Sequence, residues 1–289
     1  MSVRINEERL VMQSCLGSIH HPTIQSTGEV KICHDGKLFV SPAVGGITYN
    51  VKIGDSVYGM DCDHVEPGVT IRNPDRSENG ALVTLACIGN EAVAVSGDAR
   101  GAKGIVTGFH GGIDHTIIYF KHDDLVKMLP GDRIMIKAIG QGMRLLDAPE
   151  IIPMGIDPYL CGKMNMEVKD GKMIIDVAAK IPSHLMGAGV GCDYCYNGDW
   201  DLMTADKEEI KKYNLDKLRY GDIVLLQDCD CTHGRCFRRG AVSVGIVVHS
   251  DSVIAGHGPG ITTLFACDKP LIEGVISEKA NLKDILDLE

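Results

Sequence analysis

The chain has 289 residues, 44% of them hydrophobic and 24% charged, the balance of a folded globular protein without a disordered tail. Its formal net charge of −10 sets the surface against nucleic-acid phosphates and against anionic membranes, so neither is expected as a partner. No apolar run approaches the roughly 20 residues that a bilayer-spanning helix needs.

Strands dominate the reading in chain order. Short β-branched segments bounded by Gly, Pro, Asn or Asp predict strands at residues 81–87, 92–96, 115–120, 133–139, 172–178, 222–228 and 241–249. The last alternates, with Val242, Val244, Ile246 and Val248 on one face and Ser243, Gly245, Val247 and His249 on the other. The second face is thinly covered at Ser243 and Gly245, which predicts a close approach there, by a neighbouring strand before any ligand. Helices are few and short. Leu125, Val126, Met128 and Leu129 fit one or two turns stopped by Pro130-Gly131. Asp206 followed by Glu209 resembles a capping box, and Leu282, Ile285 and Leu286 form a helical stripe near the C-terminus.

A Gly-Asp turn recurs. Gly131-Asp132 leads into one predicted strand, Gly221-Asp222 into another, and Gly54-Asp55 starts a poorer copy. Glycine makes the bend and the aspartate can bond backbone N–H groups beyond it, a turn shared by several small β-barrel families. Three prolines between Asp147 and Pro158 mark a boundary. The expected architecture is α+β and β-dominated, with barrel-like β domains and a few short helices: an N-terminal β-rich domain over 1–150 and a C-terminal β-rich domain with short helices over 151–289.

Segments across most of the chain resemble a prokaryotic family of unknown function, an uncharacterised conserved domain pair. They are Gly45-Gly46-Ile47-Thr48-Tyr49-Asn50-Val51-Lys52, His64-Val65-Glu66-Pro67-Gly68 and Gly108-Phe109-His110-Gly111-Gly112 in the first half. In the second half they are Gly198-Asp199-Trp200-Asp201, Gly245-Ile246-Val247-Val248-His249-Ser250-Asp251 and Ala255-Gly256-His257-Gly258-Pro259-Gly260. The resemblance brings no assigned activity with it. The cysteines are not part of the shared pattern, which counts against a zinc knot as the common purpose.

Histidines and acids gather on glycine-rich turns at strand ends, a setting in which metal ligands and proton carriers are often assembled. His249 ends its strand, and His257, between glycines eight residues on, can fold back beside it. Asp199 and Asp201, two apart, face the same side of a strand. These four are the expected metal ligands and catalytic groups, with His110 and Asp114 as a second catalytic cluster and Arg235 as a clamp for a substrate carboxylate. Asp63-His64 and Asp199-x-Asp201 are each read as turn formers or as site groups with equal weight. His20, His21, His34, His122 and His184 are read as surface residues or as satisfied by backbone carbonyls.

Eleven cysteines, an odd number, with no apolar secretory segment at the start, lead to the expectation of a cytoplasmic protein with reduced thiols. Cys192-Asp193-Tyr194-Cys195, with Cys229, Cys231, His233 and Cys236, offers soft ligands for a structural zinc, although the spacing departs from a common knuckle. No G-x-S-x-G elbow sits on a sharp turn and no G-x-G-x-x-G follows a strand, so no nucleotide cofactor is expected. The leading expectation is a cytoplasmic, homo-oligomeric enzyme acting on a small polar metabolite: a hydrolase, lyase or isomerase assisted by a divalent metal (Zn, Mn or Mg). The rival is a noncatalytic ligand-binding or scaffold protein, with the cysteines holding a structural zinc.

Overall fold

A computed structural model describes residues 3–24, 30–40, 44–191 and 195–289. The first half is built on six strands: β1 (Gln13–Ile19), β2 (Gly68–Arg72), β3 (Glu91–Ala94), β4 (Lys103–His110), β5 (His115–Phe120) and β6 (Arg133–Ala138). They pair antiparallel in the order β1-β6-β3-β4-β5-β2, and β2 returns to β1 through Ser18↔Arg72 and Ile19↔Ile71. The sheet is thereby a closed barrel, which leaves no unpaired edge. Val69, Ile71, Val106, Ile117, Ile118, Ile134 and Ile136 are fully buried within it.

The second half carries β7 (Ala179–Pro182), β8 (Met186–Val190), β9 (Trp200–Leu202), β10 (Ile223–Asp230), β11 (Cys236–Val247) and β12 (Gly260–Cys267). Their order is β7-β10-β11-β12-β9-β8, a half-barrel that does not return on itself. Only the β7–β10 pair in this order is parallel. The β-dominated architecture with barrel-like units and a few short helices is therefore the observed one.

From Ala241 onward both faces of β11 are buried. The close approach foreseen at Gly245 is made by the neighbouring strand: a Cβ there would meet Ile261 Cγ2 at 2.4 Å and the Thr262 carbonyl at 2.8 Å. The recurrent turn is present three times with one geometry. Gly54, Gly131 and Gly221 all have positive φ. In each copy the following aspartate accepts a hydrogen bond from the N–H three residues before it: Lys52 to Asp55 at 2.9 Å, Leu129 to Asp132 at 2.9 Å, Arg219 to Asp222 at 2.8 Å. The bond thus closes the turn backwards, where the sequence had pointed it forwards. Two copies also grip each other, since Gly54 N–H donates to the Tyr220 carbonyl and Tyr220 N–H to that of Asp55. This clasp ties the first half to the second.

One predicted strand is wrong. Residues 81–87 fall largely in helix α1 (Arg76–Leu85). Asp75 caps it, accepting from Ser77 and Glu78 N–H, and Asn79, Leu82 and Val83 form the buried i, i+3, i+4 face. The cap lay outside the β-branched window, so local composition favoured the wrong period. Among the other short helices, α2 (His122–Leu125) ends where the expected one began, α3 (Pro158–Lys163) was not foreseen, and α4 (Lys207–Lys212), capped by Asp206, and α5 (Leu282–Ile285) stand where expected. Asp75→Ala should cost about 1 kcal/mol in urea unfolding, while Asp75→Ser, which keeps the cap, should fall within a few tenths of wild type.

Candidate functional site

The two halves meet along a seam of hydrogen bonds and glycines. Gly112 N–H donates to the Gly191 carbonyl at 2.7 Å, and Gly111 and Gly191 lie so close that a Cβ on either would sit 2.5 Å from the other's Cα. Val65 N–H donates to Ser250 Oγ, Ser250 N–H to the Val65 carbonyl, and Ser252 Oγ to Asp63. Between these contacts opens a cleft of about 300 Å³, whose wall includes His64, His110, Asp199, Asp201, His257 and the glycine-rich β8.

Each polar side chain is delivered by an element end. His110 closes β4 and pairs in register with His115, which opens β5. Asp199 precedes β9 and Asp201 lies within it, so the two-residue spacing turns both carboxylates to the same side. His249 follows β11, and His257 sits in the loop leading to β12. His64, at φ 53°, lies in the left-handed region ahead of β2. Asp199, Asp201, His110 and His249 are all buried, His249 completely.

Three imidazoles share one arrangement. His64 Nδ1 lies 3.2 Å from Asp63 Oδ1, His110 Nδ1 2.5 Å from Glu66 Oε1, and His249 Nδ1 3.0 Å from the Ser250 carbonyl. Each therefore has an acceptor for an Nδ1 proton, and in His249 and His64 the Nε2 meets the acids. His249 Nε2 is 2.7 Å from Asp199 Oδ2 and 3.5 Å from Asp201 Oδ1. His64 Nε2 is 3.4 Å from Asp201 Oδ2, and His257 Nδ1 is 2.7 Å from that same oxygen. Gly111 N–H fixes Asp199 Oδ1 at 2.6 Å. Behind His110, the buried Glu66 also accepts from His115 Nδ1 at 3.0 Å and from Thr70 Oγ1.

The electrostatics follow from this density. Burial alone would lower His249, but the charges and hydrogen bonds of Asp199 and Asp201 raise its pKa well above the usual imidazole value. Burial opposes His64 in the same way, and its bonds to Asp201 and Asp63 outweigh it. His110 is lowered by burial and by the charge of His249, against the pull of Glu66. Asp201 is held low despite burial by His249, His257 and His64. Glu66 is likewise held low by His115 and His110.

His64·Asp201·His249 and His110·Asp199·His249 each bring one ligand atom per residue within 4.8 Å of the others, so buried groups able to hold a metal ion are present. Of the residues expected from sequence, His249, His257, Asp199, Asp201 and His110 come together. Asp114 does not: it is exposed at φ 54° on the turn after β4, outside the cleft wall. Arg235 also stays out of the wall, its Nη2 donating to the Asn197 carbonyl at 2.9 Å. His64, Glu66 and His115 were missed as site residues. Their signal was His64-Val65-Glu66, where two-residue alternation pairs an imidazole with a carboxylate, but the turn reading of Asp63-His64 obscured it. His20 and His21 bond neighbouring carbonyls and His184 bonds Glu209, in keeping with their plain reading.

Cys192 lies outside the described residues, and among those described no cysteines gather into a metal-holding group. Cys195 donates its thiol proton to Cys231. That contact raises the Cys195 pKa far above its ordinary value and, with Ser243, Thr263 and Arg235, lowers Cys231 to about 7 against the cost of burial. Cys195 is thus held as a protonated thiol, the opposite of a reactive thiolate.

A closed barrel joined to a half-barrel, with a buried imidazole–carboxylate centre on the seam, defines the class: a two-part β protein with a candidate metal centre. The chain belongs to the DUF4438 family, a domain of unknown function whose N-terminal model matches residues 30–162 and whose C-terminal model matches residues 163–286. A solved structure described as the crystal structure of TM1086 is 43% identical, covers 99% of each chain and superposes with a TM-score of 0.93. No curated protein matches.

Glu66→Ala would leave buried partners on two imidazoles without their acceptor. The expected loss is about 3 kcal/mol in chemical unfolding, with the barrel still formed by circular dichroism. A loss below about 1 kcal/mol would contradict the assigned role of the buried carboxylate.

Proposed function

We propose that the protein is a metal-dependent enzyme acting on a small polar metabolite, by hydrolysis or by a lyase or isomerase step. The observation that carries this reading is the set of His64, His110 and His249, each with an acceptor at Nδ1, with the Nε2 atoms of His64 and His249 on Asp201 and Asp199 and a ring nitrogen of His110 within 4.8 Å of Asp199. Metal-ligating histidines usually have this outer partner, which fixes the ring and its tautomer. A purely structural cluster has no need to gather three imidazoles, each held at Nδ1, around two carboxylates in one open cleft.

Mixed imidazole and carboxylate donors suit zinc or manganese better than magnesium, which prefers oxygen and retains its waters. When bound, such an ion supplies Lewis acidity and an acidified water. The chain's own part is to hold the donors rigid. Glu66 and Asp63 orient His110 and His64, and Gly111 N–H pins one oxygen of Asp199. The cleft volume of about 300 Å³ matches a small metabolite rather than a polymer.

Protein purified without an affinity tag or chelator should contain zinc or manganese, and a chelator should remove it without unfolding the chain. Adding the metal back at 100 times its Kd should raise Tm by about 5 °C. His249→Ala should abolish that rise and the metal content, whereas Asp114→Ala should leave both unchanged. A wild-type protein that takes up neither ion would overturn the reading. A metal released only on unfolding would favour the scaffold instead. A metabolite screen by thermal shift on the metal-loaded protein then identifies the substrate class.

A further inference from the structure

We propose that the cleft is built for two divalent transition-metal ions bridged by Asp201. This rests on the metal reading of the same site and extends it from one ion to a pair. The donors are too many for one ion: four histidines and two aspartates converge, whereas a protein-bound zinc takes four ligands.

They also separate by distance into two sets. In the first, His64 Nε2, His257 Nδ1 and Asp201 Oδ2 lie 3.3, 3.4 and 2.7 Å apart pairwise. Two of those separations match the edge of about 3.3 Å for a tetrahedron with metal–nitrogen bonds near 2.0 Å. In the second, His249 Nε2 lies 2.7 Å from Asp199 Oδ2, with a ring nitrogen of His110 within 4.8 Å of both partners. His249 is geometrically within reach of either set. Its single Nε2 lone pair can serve only one ion, so when it joins His110 and Asp199, His257 is left to complete the set of His64 and Asp201.

Asp201 faces both. Its Oδ2 belongs to the first set, while its Oδ1 lies 3.5 Å from His249 Nε2 in the second. A carboxylate with one oxygen directed to each of two donor sets is the arrangement that bridges paired ions about 3.5–4 Å apart.

A separate feature of the backbone agrees. Each set has its own glycine. A Cβ at Gly189 would sit 2.2 Å from Asp201 Oδ2 and 2.8 Å from His257 Nδ1. A Cβ at Gly260 would sit 2.1 Å from Asp199 Oδ2 and 2.2 Å from His249 Nε2. Neither glycine needs a left-handed backbone, so steric room beside the two donor sets is the reason for the missing side chains. Two neighbouring Lewis acids suit a substrate that presents an attacking and a leaving oxygen to the same site.

The test is metal stoichiometry. Chelator-stripped protein titrated with Mn²⁺ alone should bind two ions per chain by elemental analysis, and its electron paramagnetic resonance spectrum should show an exchange-coupled pair. His257→Ala should bind one ion and show an isolated-ion spectrum. One ion per wild-type chain without coupling overturns the pair while leaving the metal reading intact. No bound ion, with Zn²⁺ as well as Mn²⁺, overturns both. Should His257→Ala fail to fold, the coupled or uncoupled spectrum of the wild-type protein decides the question by itself.

Discussion

Buried carboxylates govern this molecule. Asp63, Glu66, Asp199 and Asp201 are almost entirely withdrawn from solvent, and an unpaired charge in such a place costs several kcal/mol. None stands alone. Asp63 is met by Lys31, Ser252 and His64, Glu66 by His110, His115 and Thr70, Asp199 by His249 and Gly111 N–H, and Asp201 by His64, His249 and His257. Three of these contacts cross the seam: Ser252 with Asp63, Gly111 N–H with Asp199, and His64 with Asp201. Asp63, Asp199 and Asp201 each draw one partner from the other half, whereas Glu66 draws all of its partners from its own.

That constraint explains why the halves are fastened so closely. The Gly54 and Gly221 turns grip one another, the strand preceding Ser250 is laced to Val65, and Gly111 touches Gly191 where no side chain would fit. A shift of one ångström along the seam would lengthen the bonds of Gly111 to Asp199, His64 to Asp201 and Ser252 to Asp63 together. Rigidity of this kind positions donors before any ligand arrives.

The charge pattern within the cleft is equally organised. Two imidazoles are pulled towards the protonated state by adjacent carboxylates, while His110, between Glu66 and His249, is pushed the other way. Neighbouring groups driven apart in this manner are common where a site exchanges protons or cations. In the metal-bound state proposed above, a cation would take over the role of protons on His64 and His249, because both neutralise the same two aspartates.

Much was legible in the chain itself. Short β-branched segments bounded by turn residues gave β3, β5, β6, β10, β11 and the strand Lys172–Val177, the Gly-Asp pairs gave three real turns, and Asp199-x-Asp201 gave two carboxylates on one side, because each depends on neighbours a few residues away. Helix α1 was misread since its cap at Asp75 lay outside the aliphatic run that drew attention. Asp114 and Arg235 looked like site residues by chemistry alone, and only the chain path turned them away from the cleft. His64 was left undecided and Glu66 unread because their partners stand far off in sequence: Asp201 and His257 for one, His110 and His115 for the other. Local sequence determined which groups were available and which way each strand faced. Tertiary structure alone decided which of them share a hollow, because closure of the barrel and its docking on the half-barrel set distances that no local pattern encodes.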